Sequence, residues 1–124
     1  MGETKQRQAI REALERAARP LSPQEVVAEA QADVPRLGIA TVYRALKSLV
    51  DEGWLAAVEL PGQPTRYERA GKHHHHHFQC RRCDRTYELP GCPSDLQVPL
   101  PKGFVADDHE VVVYGRCAAC ARSK

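Results

Sequence analysis

Two CxxC pairs, Cys80–Cys83 and Cys117–Cys120, bracket the second part of this chain and restrict what it can fold into more than any other feature. Each pair places two thiolates on one metal ion. Two pairs complete a tetrahedron of sulfurs about 2.3 Å from a zinc ion, with no position left for substrate. Such a site is structural, and it substitutes for core that a segment of roughly 50 residues cannot build. Redox pairs or free thiols are the alternative. Two pairs around one small segment favour metal. The fifth cysteine, Cys92, stands apart.

The segment from His73 to Cys83 reads HHHHHFQCRRC, so a histidine run leads directly into the first pair. In an extended strand alternate side chains share a face. His75 and His77 then point one way, His74 and His76 the other, and two separate sites share one strand. Carboxylates are at hand in Glu68 and Glu88, and Asp108 and His109 lie on the approach to a last strand-like run, HEVVVYGRC. A His and Glu cluster suits zinc, iron, manganese or nickel without choosing among them. A histidine-rich surface loop that binds metal adventitiously is the alternative, favoured for His73 alone and not for His75 and His77.

The first part of the chain has a different character. TKQRQAIREALERAARP carries Ala9, Ile10, Ala13, Leu14 and Ala17 at helical spacing, with Thr4 as its expected N-cap. SPQEVVAEAQAD opens a second helix with Ser22 at the N-cap, Pro23 at the first helical position and Glu25 placed to close a capping box. IATVYRALKSLVDEG predicts a third helix, with Ile39, Val42, Leu46, Leu49 and Val50 on one face and Gly53 as its stop. WLAAVEL and TRYER read as two strands around the turn PGQP. Three helices followed by a hairpin is the order of a winged helix-turn-helix. The other face of the third helix carries Thr41, Tyr43, Arg44, Lys47 and Ser48, the hydroxyls, ring and cations needed to enter a major groove. Arg66 and Arg69 near the hairpin are candidates to hold phosphates, with solvated strand residues as the alternative reading.

Net charge argues neither for nor against DNA. It is +2 overall, with 11 basic and 10 acidic residues up to Lys72 and 7 and 6 after it. Any nucleic-acid contact must come from a local face. The absence of an apolar run long enough for a membrane span, and of a signal peptide core, predicts a cytoplasmic protein. After Lys72, HHHFQC, TYEL and HEVVVYGRC predict strands, and PGCPSDLQVPLPKG, with prolines at 90, 93, 99 and 101, excludes a long helix between them. The expected fold is α+β: a winged helix-turn-helix DNA-binding domain over 1–70, then a small α/β metal-binding dimerisation domain with a structural zinc site over 71–124.

PRLGIATVYRALKSLVDEGWL, RYER, HHHHHFQCRRC and DDHEVVVYGRCAAC, taken in that order, resemble the ferric uptake regulator family of metal-dependent repressors. The resemblance covers nearly the whole chain. It implies a homodimer on double-stranded operator DNA, with Tyr43 and Arg44 at DNA-contacting positions. By position Cys80, Cys83, Cys117 and Cys120 match structural zinc ligands. Glu68, His75, His77 and Glu88 match a regulatory site at the domain hinge, for iron, manganese or zinc. His74, His76 and His109 match a further site, with Cys92 near the place of a carboxylate often supplied there.

Three departures stand out. Where many members carry a regulatory histidine before the second helix, this chain reads ARPLS. It begins at what is normally the family's second helix. The proline-rich segment replaces the usual dimerisation helix. Peroxide-sensing members typically have Asp at the position of Glu88, which argues against peroxide sensing. The expected function is a metal-responsive repressor of metal-homeostasis genes, with no membrane and no small organic ligand. A peroxide sensor of the same family and a metal-buffering protein are the alternatives. A zinc enzyme is disfavoured, since HExxH and a glycine-rich phosphate loop are both absent.

Overall fold

A computed structural model describes residues 2–72, 75–91 and 99–122. The chain divides into two compact units, Met1–Lys72 and His73–Lys124.

The first unit contains α1 (Gly2–Ala17), α2 (Pro23–Ala30), α3 (Ile39–Asp51) and an antiparallel hairpin of β1 (Leu55–Val58) and β2 (Arg66–Arg69). This is a winged helix-turn-helix. Helix α1 begins at Gly2, so Thr4 lies inside it and is not its N-cap. Its predicted apolar stripe is the packed one: Ala9, Ile10, Ala13 and Leu14 are buried against Val26, Ala30, Val42, Leu46, Leu49 and Leu55. Ile39 departs from expectation. It opens α3 and is 41% exposed, because the first turn lies beyond the reach of that core. Gly53 ends α3 with φ +82, a left-handed conformation that glycine takes without strain. An isolated bridge between Leu21 and Tyr67, with hydrogen bonds of 3.0 and 2.8 Å, ties the α1–α2 connection to the wing.

The capping box of α2 forms as the sequence predicts. The Glu25 amide donates to Ser22 Oγ (3.2 Å) and the Ser22 amide donates to Glu25 Oε1 (2.9 Å). The same carboxylate pairs with Arg19 (3.0 Å) and Arg66 Nε (3.7 Å). Burial raises the Glu25 pKa, but the Ser22 amide and the two guanidinium groups outweigh it, and the carboxyl sits below its ordinary value. A depressed carboxyl stabilises the fold above its unfolded pKa, and that contribution is lost as pH falls through the folded value. Glu25→Gln is therefore expected to lower stability at neutral pH by about 1–3 kcal/mol, since it removes a negative charge that faces two guanidinium groups. The difference should narrow as pH falls into the carboxylate range. Trp54, the chain's single tryptophan, packs on the core of this unit and reports its urea unfolding.

The second unit holds a three-stranded sheet in the order β4-β3-β5, from β3 (His76–Cys80), β4 (Thr86–Leu89) and β5 (Val112–Gly115), followed by the short helix α4 (Ala118–Arg122). β4 runs antiparallel to β3 and β5 runs parallel to it. The last strand is shorter than the sequence predicted, since residues 109–111 precede it. Among the described residues of this unit, His76, Gln79, Cys80 and Thr86 are the buried ones, whereas Phe104 and Val105 are 66% and 83% exposed. So little buried apolar surface leaves the unit dependent on a cross-link. Among the described residues no helix is long and apolar enough to cross a membrane.

Candidate metal centres

The cysteine cluster is assembled by the sheet. β3 ends at Cys80, and a tight turn with Asp84 at φ 63 brings Cys83 back beside it. Parallel pairing sets Cys80 opposite Gly115, with the Arg81 amide donating to the Gly115 carbonyl at 2.8 Å. The chain leaving β5 then delivers Cys117, and α4 presents Cys120. A Cβ on Gly115 would approach the Phe78 ring to 3.2 Å, so glycine leaves room for that ring.

The four Sγ atoms all lie within 4.8 Å of one another. Cys83 and Cys117 are 3.8 Å apart. Sulfurs bound tetrahedrally at about 2.3 Å have edges of about 3.8 Å, so the donors fit zinc. All four are free thiols. Amides of Cys83 (3.5 Å) and Cys117 (3.4 Å) donate to Cys80 Sγ and hold its thiol down at about 6. Loss of solvation and the neighbouring sulfurs push Cys120 up to about 12. Four thiolates this close repel, and a bound divalent cation is what lets all of them ionise together.

A second donor set lies on the sheet. His77 on β3 pairs in register with Glu88 on β4, and His75 Nε2 is 3.7 Å from Glu88 Oε1. The His75 and His77 rings are 5.0 Å apart between centroids, on one face as the alternation predicted. Glu68 is placed by the first unit, on β2 opposite Ala56, and is buried.

His76 points the other way and is 3% exposed. Its ring lies 5.1 Å from that of His109, so these two members of the expected further site do adjoin. His74 and Cys92 lie outside the described residues. His76 Nδ1 accepts the Val111 amide at 3.0 Å. A metal on Nε2 would require the imidazole proton on Nδ1, opposed to that amide. His76 in this state clasps the chain entering β5.

On α3, Tyr43 is 49% exposed, Arg44 and Lys47 are exposed, and Thr41 is half-buried and accepts from Arg44 at 3.2 Å. Arg66 requires a correction. It is 4% exposed, with its guanidinium on Glu25 and on Gln63 Oε1 (3.1 Å), so it is a buried structural cation and not one offered to a phosphate. Sequence reasoning also missed α4, whose five residues are too short to show periodicity, and an ion pair between Arg7 and Glu52.

The sequence model described as the ferric uptake regulator family matches residues 1–114. The zinc uptake regulation protein of Mycobacterium tuberculosis is 32% identical over 120 residues, which span 94% of this chain and 92% of that protein. The ferric uptake regulation protein of Campylobacter jejuni is 30% identical over 126 residues, spanning 98% of this chain and 80% of that protein. The solved Helicobacter pylori ferric uptake regulator, described as having three functional metal binding sites, superposes with a TM-score of 0.67 at 27% identity, covering 97% of this chain and 82% of that one. A winged helix, a four-cysteine cluster and a histidine–glutamate set, on a chain that matches the family along most of its length, make this protein a member of the ferric uptake regulator family of metal-responsive transcription regulators.

Proposed function

We propose that this protein is a homodimeric repressor whose binding to operator DNA is switched by a metal held at His75, His77 and Glu88, with Glu68 as the ligand from the first unit. The observation that carries this reading is the convergence of His75, His77 and Glu88 at a place separate from the closed cysteine cluster. A regulatory ion must exchange, whereas four thiolates in a sealed tetrahedron hold theirs. Two imidazoles with two carboxylates suit iron, manganese or zinc.

Glu68 lies seven residues before His75 in the chain and belongs to the wing, so a metal held by all four donors would cross-link the two units. Fixing the DNA-binding unit on a dimer lets two α3 helices meet half-sites about 34 Å apart, or a multiple of that. Without the cross-link, DNA binding carries the cost of ordering the hinge. The homodimer reading is supported by apolar side chains left exposed on the second unit: Leu100, Phe104, Val105, Val113 and Tyr114. The further set at His74, His76, His109 and Cys92 is left out of the switch, given what His76 Nδ1 already binds.

Selection of bound duplexes from a random pool, with iron(II), manganese(II) or zinc added separately, tests the reading. Recovery of a palindromic site with at least one of these metals, and none without, is expected. Equal recovery with and without metal contradicts it. On the recovered site Tyr43→Ala should relax base preference. Arg44→Ala should weaken binding and lower the salt slope by about 1 if it holds a phosphate. Unchanged affinity in both variants would mean α3 is not the reader.

A further inference from the structure

Helix α3 is charged the wrong way at its end. Asp51 and Glu52 close it with no basic residue in the last turn, and carboxylates there oppose the helix dipole. The compensation comes from α1. Arg7 forms an ion pair with Glu52 Oε1 through one terminal nitrogen and donates to Ser48 Oγ (3.0 Å) through the other. Ser48 Oγ in turn donates to Glu52 Oε2 at 3.0 Å. The three side chains close a ring. They stand at a cleft between α1 and α3 lined by Gln6, Arg7, Thr41, Arg44, Ala45 and Ser48.

We propose that the Arg7–Ser48–Glu52 ring sets the pitch of α3 on α1, which makes Arg7 and Glu52 positioning residues for DNA binding and not DNA contacts. The inference rests on the reading of α3 as the DNA-binding helix. An exposed ion pair adds little stability by itself. Its effect here is geometric: the buried residues Val42, Leu46 and Leu49 seat α3 on the core along one face, and the ring adds a polar tie from α1 to the flank that carries Ser48 and Glu52. The carboxyl of Glu52 is held below its ordinary value by its hydrogen bonds to Arg7 and Ser48, consistent with a formed ring.

The test is a titration of the selected duplex with wild type, Arg7→Met, Glu52→Gln and the exchanged pair Arg7→Glu with Glu52→Arg, across a range of salt. Each single change should weaken binding about 3- to 10-fold, the scale of coupling between residues in one network. The slope of affinity against salt should stay unchanged, since no phosphate contact is removed. The exchanged pair should recover most of the loss. Three results overturn the inference: Arg7→Met alone weakening binding with a slope lower by about 1, which marks a phosphate contact; neither single change altering affinity; or an exchanged pair no better than the single variants. Wild type that binds no duplex would instead sink the DNA reading. The Arg7–Glu52 coupling is then still read from a double-mutant cycle on urea unfolding followed by Trp54 fluorescence, and a cycle with no coupling would overturn the ring.

Discussion

Cys80→Ser is expected to abolish the folded second unit while leaving the first intact. Cys80 is the buried member of the cysteine set, and it accepts amides from both Cys83 and Cys117. Removing it takes one thiolate from a closed tetrahedron and also breaks the junction that joins β3 to the chain leaving β5. Structural zinc in small domains contributes about 10–16 kcal/mol, as much as the whole stability of an ordinary domain. Among the described residues, the apolar burial in this unit does not make up such a loss. The zinc content of the purified protein should fall, the proposed homodimer should dissociate, and amide exchange across residues 75–91 should become fast. Trp54 fluorescence should remain native. A Cys80→Ser protein that keeps zinc, dimer and protected amides would show that the cluster does not hold the unit together.

His77→Ala is expected to do the reverse, sparing the fold and removing the switch. Its imidazole stands beside His75 and in register with Glu88, on a strand whose far end carries the cysteine cluster. Truncation leaves the four sulfurs untouched, so zinc content at the cysteine site, dimer and unfolding midpoint should hold. Binding of the regulatory metal loses one of two imidazoles. Coupling between an effector and a ligand is typically about 1–3 kcal/mol, or 5- to 150-fold in affinity, and that whole factor is at stake. Operator affinity measured with and without metal should become the same in the variant, at the weaker value. A His77→Ala protein that responds fully to metal would move the sensor elsewhere, with His76 and His109 the next donors to test.

Much of this was legible in the sequence because the signals are local. Ser22, Pro23 and Glu25 specify a helix start within four residues, and the paired cysteines specify a ligand set by spacing alone. The alternation from His75 to His77 holds because a strand has period two whatever it packs against. The misreadings come from features that depend on distant chain. Arg66 looks like a wing cation until folding brings Glu25 to it. The apolar periodicity of α3 includes Ile39, but only the tertiary core decides how far along the helix burial extends. The hold of His76 Nδ1 on the Val111 amide, 35 residues away in sequence, likewise leaves no local pattern. The Arg7–Glu52 pair is separated by most of the first unit and leaves no local pattern.

The central claim is that metal at the histidine–glutamate set controls DNA binding by a protein whose cysteine cluster is already full. Its most direct measurement is a fluorescence titration of the selected palindromic duplex, at fixed salt, with protein carrying zinc only at the cysteine cluster, before and after addition of the metal that supported selection. The account predicts affinity at least about 5-fold tighter after addition in wild type and no change in His77→Ala. Equal affinity before and after addition in wild type, with elemental analysis showing that the second metal has bound, would contradict it.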